Sequence, residues 1–309
     1  MSDISDRKVM SIALLGAVAI SFAPIFYMFS EVNPVTGAFF RMFYALPLLF
    51  IIVIIFSKND NRTKKTRLIA FSAGLLMAPD MLAYFSAMKF IGVGIATLIG
   101  NSQVIIVTIV SWKLFGEKPN PAILFSLPVV LFGLFLISGI SDANAFGTNP
   151  VKGVIFGIAA AIFYSTFLVI FRFSNRELAP AANVQLDATL GAALGLFVLG
   201  FMPLSSISIA PINFELIWPG HGWIIILALT CQVAGWIAIA FALPRLPAAH
   251  TSFAVLLQPI LSLIWGVILL SENPSIKQTI GIFLVLLSIM AVTIFGTVED
   301  RKNTPSEIS

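Results

Sequence analysis

Long apolar runs alternate with short polar joins along this chain. The first run is Val9 to Met28, after Arg7 and Lys8. The others cover 35–56, 68–90, 92–115, 122–140, 151–173, 183–204, 222–243, 248–270 and 275–296. Each is close to the roughly 20 residues that cross a hydrocarbon core of about 30 Å as an α-helix. The runs are continuous rather than alternating, which excludes a β-barrel. The pattern predicts an all-α polytopic membrane protein with ten transmembrane helices. Two joins are very short, Lys89 to Gly92 and Pro244 to Pro247. If one of these pairs is a single helix, the rival count is nine. The first run contains Ala17-Val18-Ala19, which mimics a signal-peptide cleavage site, but apolar sequence continues past it. It reads as a retained helix.

Composition agrees with the pattern. Of 309 residues, 59% are hydrophobic and 10% charged, against about 45–50% and about 25% in soluble domains. So few charges cannot cover a water-soluble surface. The net charge of +4 changes the picture only through its distribution. With ten spans and a cytoplasmic N-terminus, 14 Lys and Arg fall on inner segments, and only Lys89, Lys152 and Lys277 on outer ones. The positive-inside rule then puts both termini in the cytoplasm; the expected location is a bacterial inner (plasma) membrane. It also explains the basic character without a nucleic-acid partner. Cys231 is the one cysteine, so no intrachain disulfide exists; it reads as a buried, inert thiol.

An offset of 155 residues lays the chain on itself. Ala87 then pairs with Ala242, Gln103 with Gln258, Glu117 with Glu272 and Pro119 with Pro274. Ile105/Ile260, Ile109/Ile264 and Leu114/Leu269 also match. The polar and proline matches in fixed order carry more weight than the apolar ones. The offset gives two five-helix repeats, 1–145 and 146–309. Five is odd, so the second repeat runs inverted relative to the first. Inverted repeats are typical of transporters that alternate access around a site at the repeat interface.

These stretches resemble a known family. Leu114-Phe115-Gly116-Glu117 and Leu269-Leu270-Ser271-Glu272 are similar to the helix-ending "L-x-G-E" signature of the EamA-type branch of the drug/metabolite transporter superfamily. Gln258-Pro259, Tyr84 to Lys89, and Arg41 before Met42-Phe43 resemble its "E-P", "Y-x-A-L-K" and "R-F" steps. Gln258 stands where the family pattern has Glu, and Val104 where Pro259 has its repeat mate. The resemblance covers essentially the whole chain. It implies ten helices and movement of small metabolites or drugs, often as export.

Polar residues deep in the spans are the candidate site. A charge at a helix centre costs about 2.5–3.5 kcal/mol on insertion scales. At a rise of about 1.5 Å per residue, Asp80 lies near the midplane, Arg41 roughly 10 Å below the outer face, and Asp187 near the inner one. Asp80 is read in two ways. It is a proton-coupling carboxylate or a counter-ion for a substrate amine; otherwise it pairs with Arg41 or caps a kink beside Pro79. Arg41 reads as structural or gating, snorkelling outward. Asp187 also reads as structural or gating. Inversion puts Arg41 and Asp187 on opposite sides of the midplane, which disfavours a direct pair.

Gln103 and Gln258 fall at middle depth, where an amide can bind polar groups as donor and acceptor at once. Asn101, Tyr84, Tyr164 and Trp236 complete the candidate substrate set, and Gln232 lies at similar depth. Gln103 is about 200° round a regular helix from Asn101, so the two should not face one small cavity. Pro259 either breaks its helix, freeing a carbonyl, or only kinks it. Glu117 and Glu272 each precede a proline by two residues, which suggests that each caps the start of its next helix.

Enzyme motifs are missing. His221 and His250 are the only histidines and do not form H-E-x-x-H. No G-x-S-x-G or Walker-type loop occurs. No cofactor or metal is expected. The reading is a secondary transporter for a small organic metabolite, an amino acid or related amphipathic solute, acting in export by alternating access. Protons are the candidate coupling ion and lipid the surrounding medium. The alternatives are uptake or exchange on the same fold, a channel, or a non-transport scaffold.

Overall fold

The computed structural model describes residues 6–56, 60–115, 121–174, 180–202, 209–242 and 248–299. Among these every regular element is helical. In chain order they are α1 (Asp6–Ser21), α2 (Ala23–Ser30), α3 (Pro34–Phe56), α4 (Lys64–Ile91), α5 (Val93–Asn101), α6 (Gln103–Phe115) and α7 (Pro121–Ile137). Then come α8 (Pro150–Ser174), α9 (Ala181–Gly200), α10 (Gly220–Ile226), a π-helical stretch Leu227–Gly235, α11 (Trp236–Ala242), α12 (Ala248–Leu270) and α13 (Ile276–Glu299). Among the described residues six helical segments are long and apolar enough to cross a membrane, and four shorter apolar helices accompany them. Phe56, Phe125, Ile155 and Ile268 are among many large apolar side chains facing outward. Outward apolar surface on this scale suits lipid rather than water.

Three of the apolar runs are interrupted rather than straight. The first breaks at Phe22, whose N–H bonds to Ala19 O at 3.2 Å, a spacing of three residues. Pro24 follows at once and offers no N–H to the turn before it. The fourth run breaks at Ser102 and the eighth widens into the π-helical stretch. Pro259, by contrast, lies inside an unbroken α12. Of the two expected readings the break does not occur; the proline sits within the continuous helix, where its missing N–H still leaves one main-chain carbonyl of the preceding turn without its helical donor.

The short join at Lys89 to Gly92 separates two helices. Only Gly92 lies between α4 and α5, with φ at +89°, where a side chain would be strained. The other short join, Pro244 to Pro247, lies outside the described residues, as does Glu117.

The helices of the two halves interleave, and α4 packs on both α8 and α9. Small residues allow the α4–α9 backbones to approach. A Cβ on Gly74 would lie 1.9 Å from Ala188 O, and one on Gly191 would lie 2.0 Å from Phe71 O. Small-residue seams of this kind drive helix association in lipid through close packing. The resulting core holds α4 and α5 at the centre of the bundle, with Tyr27 stacked on Phe85 at 3.9 Å between ring centroids.

Glu272 does not cap the helix that follows it. Its carboxylate accepts the main-chain N–H groups of Val93 and Gly94, the latter at 3.1 Å. The cap therefore crosses from the end of α12 to the start of α5. It can do so because Gly92, Gly94 and Gly266 leave room for the carboxylate: a Cβ on Gly266 would fall 2.4 Å from Glu272 Oε2.

Candidate functional site

A cavity of about 90 Å³ lies within the helical bundle. That is about six to nine times the room one water needs by this measure, about 10–15 Å³. Its walls come from α1, α2, α3, α4, α5, α6, α8, α11 and α12, and so from both halves of the chain. Gln103, Gln258, Asn101, Tyr84, Tyr164 and Trp236 all line it, together with Asp80 and Arg41. Asp187 and Pro259 do not.

Asn101 and Gln103 reach the same cavity because the helix between them is broken. Ser102 N bonds to Ile99 O at 3.0 Å, and Ile105 N bonds to Ser102 O at 3.0 Å. Both spacings are three residues, so the turn is tighter than an α-helix and shifts the angular phase. The expectation that these two residues face different ways fails for this reason.

Arg41 does not snorkel outward. It is 4% exposed and donates from Nε to Gln232 Oε1 at 3.0 Å. Its guanidinium carbon lies 6.0 Å from the centre of the Phe85 ring. These partners inside the bundle replace the interfacial water it would otherwise seek. Asp80, also 4% exposed, faces the same cavity. Among the described residues the two make no direct ion pair.

The remaining polar groups divide into satisfied and open ones. Tyr84 Oη lies 2.7 Å from Thr97 Oγ1, which itself donates to Val93 O at 2.8 Å. Asn101 Nδ2 donates to Thr97 O at 2.8 Å. Gln103 Oε1 and Trp236 Nε1 are buried and have no hydrogen-bond partner among the described residues. A buried unmade hydrogen bond is costly, so such atoms are natural contacts for a solute or for water.

Asp187 belongs to a separate cluster at the other end of α3. Arg62 Nη2 lies 2.8 Å from both Asp60 Oδ2 and Asp187 Oδ2, and Arg67 Nη2 lies 3.1 Å from Asp60 Oδ2. The Arg62 side chain is 2% exposed. Its hydrogen bonds to Asp60 hold that carboxyl well below the usual range. The cluster ties the α3–α4 loop to the first turns of α9.

Sequence reasoning missed Ile20, Ala23, Pro24, Met81, Gly100 and Ala160 as lining residues. The Ala23-Pro24 pair inside an apolar run was the available signal for α1–α2. The role of Gln232 as the partner of Arg41 had no local signal, since the two are 191 positions apart. Among the described residues no group of three His, Cys, Asp or Glu side chains is placed to hold a metal.

Comparison with known proteins agrees with this architecture. An uncharacterized transporter, YxxF, of Bacillus subtilis (strain 168) is 21% identical over 239 residues, covering 77% of this chain and 73% of that protein. A protein of known crystal structure, 17% identical, superposes over 97% of this chain and 100% of its own with a TM-score of 0.61. That likeness shows the fold alone. The model of the EamA-like transporter family matches residues 7–139 and again residues 151–294. Two successive matches, on an apolar helical bundle whose halves share one cavity, place the chain in the EamA-like transporter family, whose members move solutes across membranes.

Proposed function

We propose that the chain is a secondary active transporter that exports a small organic metabolite, an amino acid or related amphipathic solute, by alternating access. It does so as ten transmembrane helices in two inverted five-helix repeats, residues 1–145 and 146–309. Both termini face the cytoplasm of a bacterial inner membrane. The solute occupies the cavity among Gln103, Gln258, Asn101, Tyr84, Tyr164 and Trp236, and Asp80 exchanges the coupling proton.

One observation carries this reading. Arg41 and Asp80 line a single mid-depth cavity without pairing to each other. Charges at that depth are costly and mark solute or ion pathways. A cation and an anion facing one small space, between amides and aromatic rings, complement a zwitterion with an apolar part.

The test is flux in proteoliposomes loaded with labelled amino acids and related metabolites, with and without a pH gradient. Saturable solute flux that an imposed proton gradient accelerates in the direction opposite to the proton flow supports the reading. Currents of many ions per opening, or no movement of any small metabolite, reject it.

A further inference from the structure

The guanidinium of Arg41 is held on one edge and left open on another. Its Nε donates to Gln232 Oε1, and the Phe85 ring lies beside it. Phe85 is itself fixed by stacking on Tyr27. Gln232 is 3% exposed and belongs to the π-helical stretch, and its main-chain carbonyl accepts from the Gln185 amide. Among the described residues neither Nη group of Arg41 makes a hydrogen bond, and no carboxylate pairs with it. Yet Arg41 lines the cavity, whereas Gln232 does not.

We propose that Arg41 is the carboxylate-recognition group of the cavity and that Gln232 is its positioning residue. This rests on the reading of the cavity as the solute site. The two Nη groups of arginine present parallel N–H donors that match the two oxygens of a carboxylate. Engaging Nε from behind selects which edge faces the solute. The widened turn at Leu227–Gly235 is the local backbone irregularity that carries Gln232, and π-helical turns recur at functional sites.

A purely structural Arg41 would behave differently. It would need only an acceptor at position 232, and Gln232→Glu would supply a stronger one. If Arg41 recognises carboxylates, the new side-chain carboxylate occupies it and competes with the solute.

The experiment is thermal unfolding of the purified full chain with acetate, propionate and phenylacetate, each against its primary amide. Wild type, Arg41→Gln and Gln232→Glu are compared. At least one acid should raise the wild-type melting temperature saturably, binding at least about tenfold more tightly than its amide. Both variants should lose that difference, and Gln232→Glu should melt near wild type. Equal effects of acid and amide on the wild type, or no effect of any acid, overturn the proposal. So does a Gln232→Glu protein that still discriminates. The wild-type comparison decides even if a variant fails to fold. Acid selectivity without flux in proteoliposomes would reject the transport reading and keep the subsite; flux without acid selectivity would do the reverse.

Discussion

The carboxylate of Glu272 closes the N-terminus of α5 by accepting the main-chain N–H of Gly94 at 3.1 Å, across a gap of 178 positions in the chain. The first amides of a helix have no intrahelical acceptor, and a negative charge there also complements the helix dipole. Glu272 is only 6% exposed, so water does not replace it easily. The bond ties α5, which carries Thr97 and Asn101, to α12, which carries Gln258. Glu272→Ala should therefore destabilise the fold by about 1–3 kcal/mol, the cost of leaving buried amides unpaired. Gly266→Ala should also destabilise it, because the added methyl meets the same carboxylate. Melting temperatures of both variants check this; wild-type melting of Glu272→Ala would show that the cap adds no stability.

At the other end of the bundle, acid should loosen the Asp60–Arg62–Asp187 cluster. Hydrogen bonds from Arg62 hold the Asp60 carboxyl below its ordinary value of 3.8. A depressed carboxyl pKa stabilises the folded state above the unfolded value, and that stability is lost as pH falls from there toward the folded value. The wild type should thus lose stability from about pH 4 downward. Asp60→Asn should be less stable at neutral pH and show a shallower loss in acid. Melting curves between neutral pH and pH 3 measure both. Parallel acid profiles for the two proteins would remove Asp60 from the cause.

Gln103 and Gln258 offer a separate test of the cavity. Both line it, and Gln103 Oε1 lacks a partner among the described residues. Losing one amide that bonds a buried solute group should cost about 1–3 kcal/mol, roughly 5- to 150-fold in affinity. Gln103→Leu and Gln258→Leu should therefore weaken solute binding while leaving the melting temperature nearly unchanged. An amide that only packs helices would show the opposite pattern. Affinity unchanged in both variants would move the solute toward Asn101 and Asp80.

Coupling is tested at Asp80. Proton-driven transport needs a titratable group that the solute pathway can reach, and Asp80 is buried yet faces the cavity. Asp80→Asn should abolish acceleration by a proton gradient while leaving solute exchange or binding measurable. Proton dependence that survives in a folded Asp80→Asn protein would place coupling elsewhere.

Orientation in the membrane is tested at two exposed loop positions. Asn61 lies between α3 and α4, and Asn144 between α7 and α8. Cys231 is buried, so introduced cysteines should dominate the labelling. In intact cells an impermeant thiol reagent should modify Asn144→Cys and leave Asn61→Cys protected. Equal or reversed labelling would contradict cytoplasmic termini.

Much of the cavity lining was legible because depth is a local property. A residue's distance from the end of its apolar run gives its height in the bilayer, and this singled out Asp80, Arg41, Gln103, Gln258 and the aromatic residues. Direction around the helix was not legible in the same way. It fails wherever the helix is irregular, as Ser102 shows for Asn101 and Gln103. Proline did not decide where the helices break: α12 runs through Pro259, while the fourth run breaks at Ser102 with no proline beside it.

By itself the sequence determined the solvent, the helical class, the approximate runs and the repeat. These follow from backbone hydrogen bonding in lipid, which leaves an apolar chain few options but helices. Partners far apart in the chain were decided only by the tertiary structure. Arg41 finds Gln232 rather than Asp80, Asp187 finds Arg62, and Glu272 finds the start of α5 rather than that of its own next helix. Each of these polar groups had several acceptable partners at its depth. Packing of small residues, such as Gly74 against Ala188 and Gly266 beside Glu272, sets which helices approach closely enough to supply one.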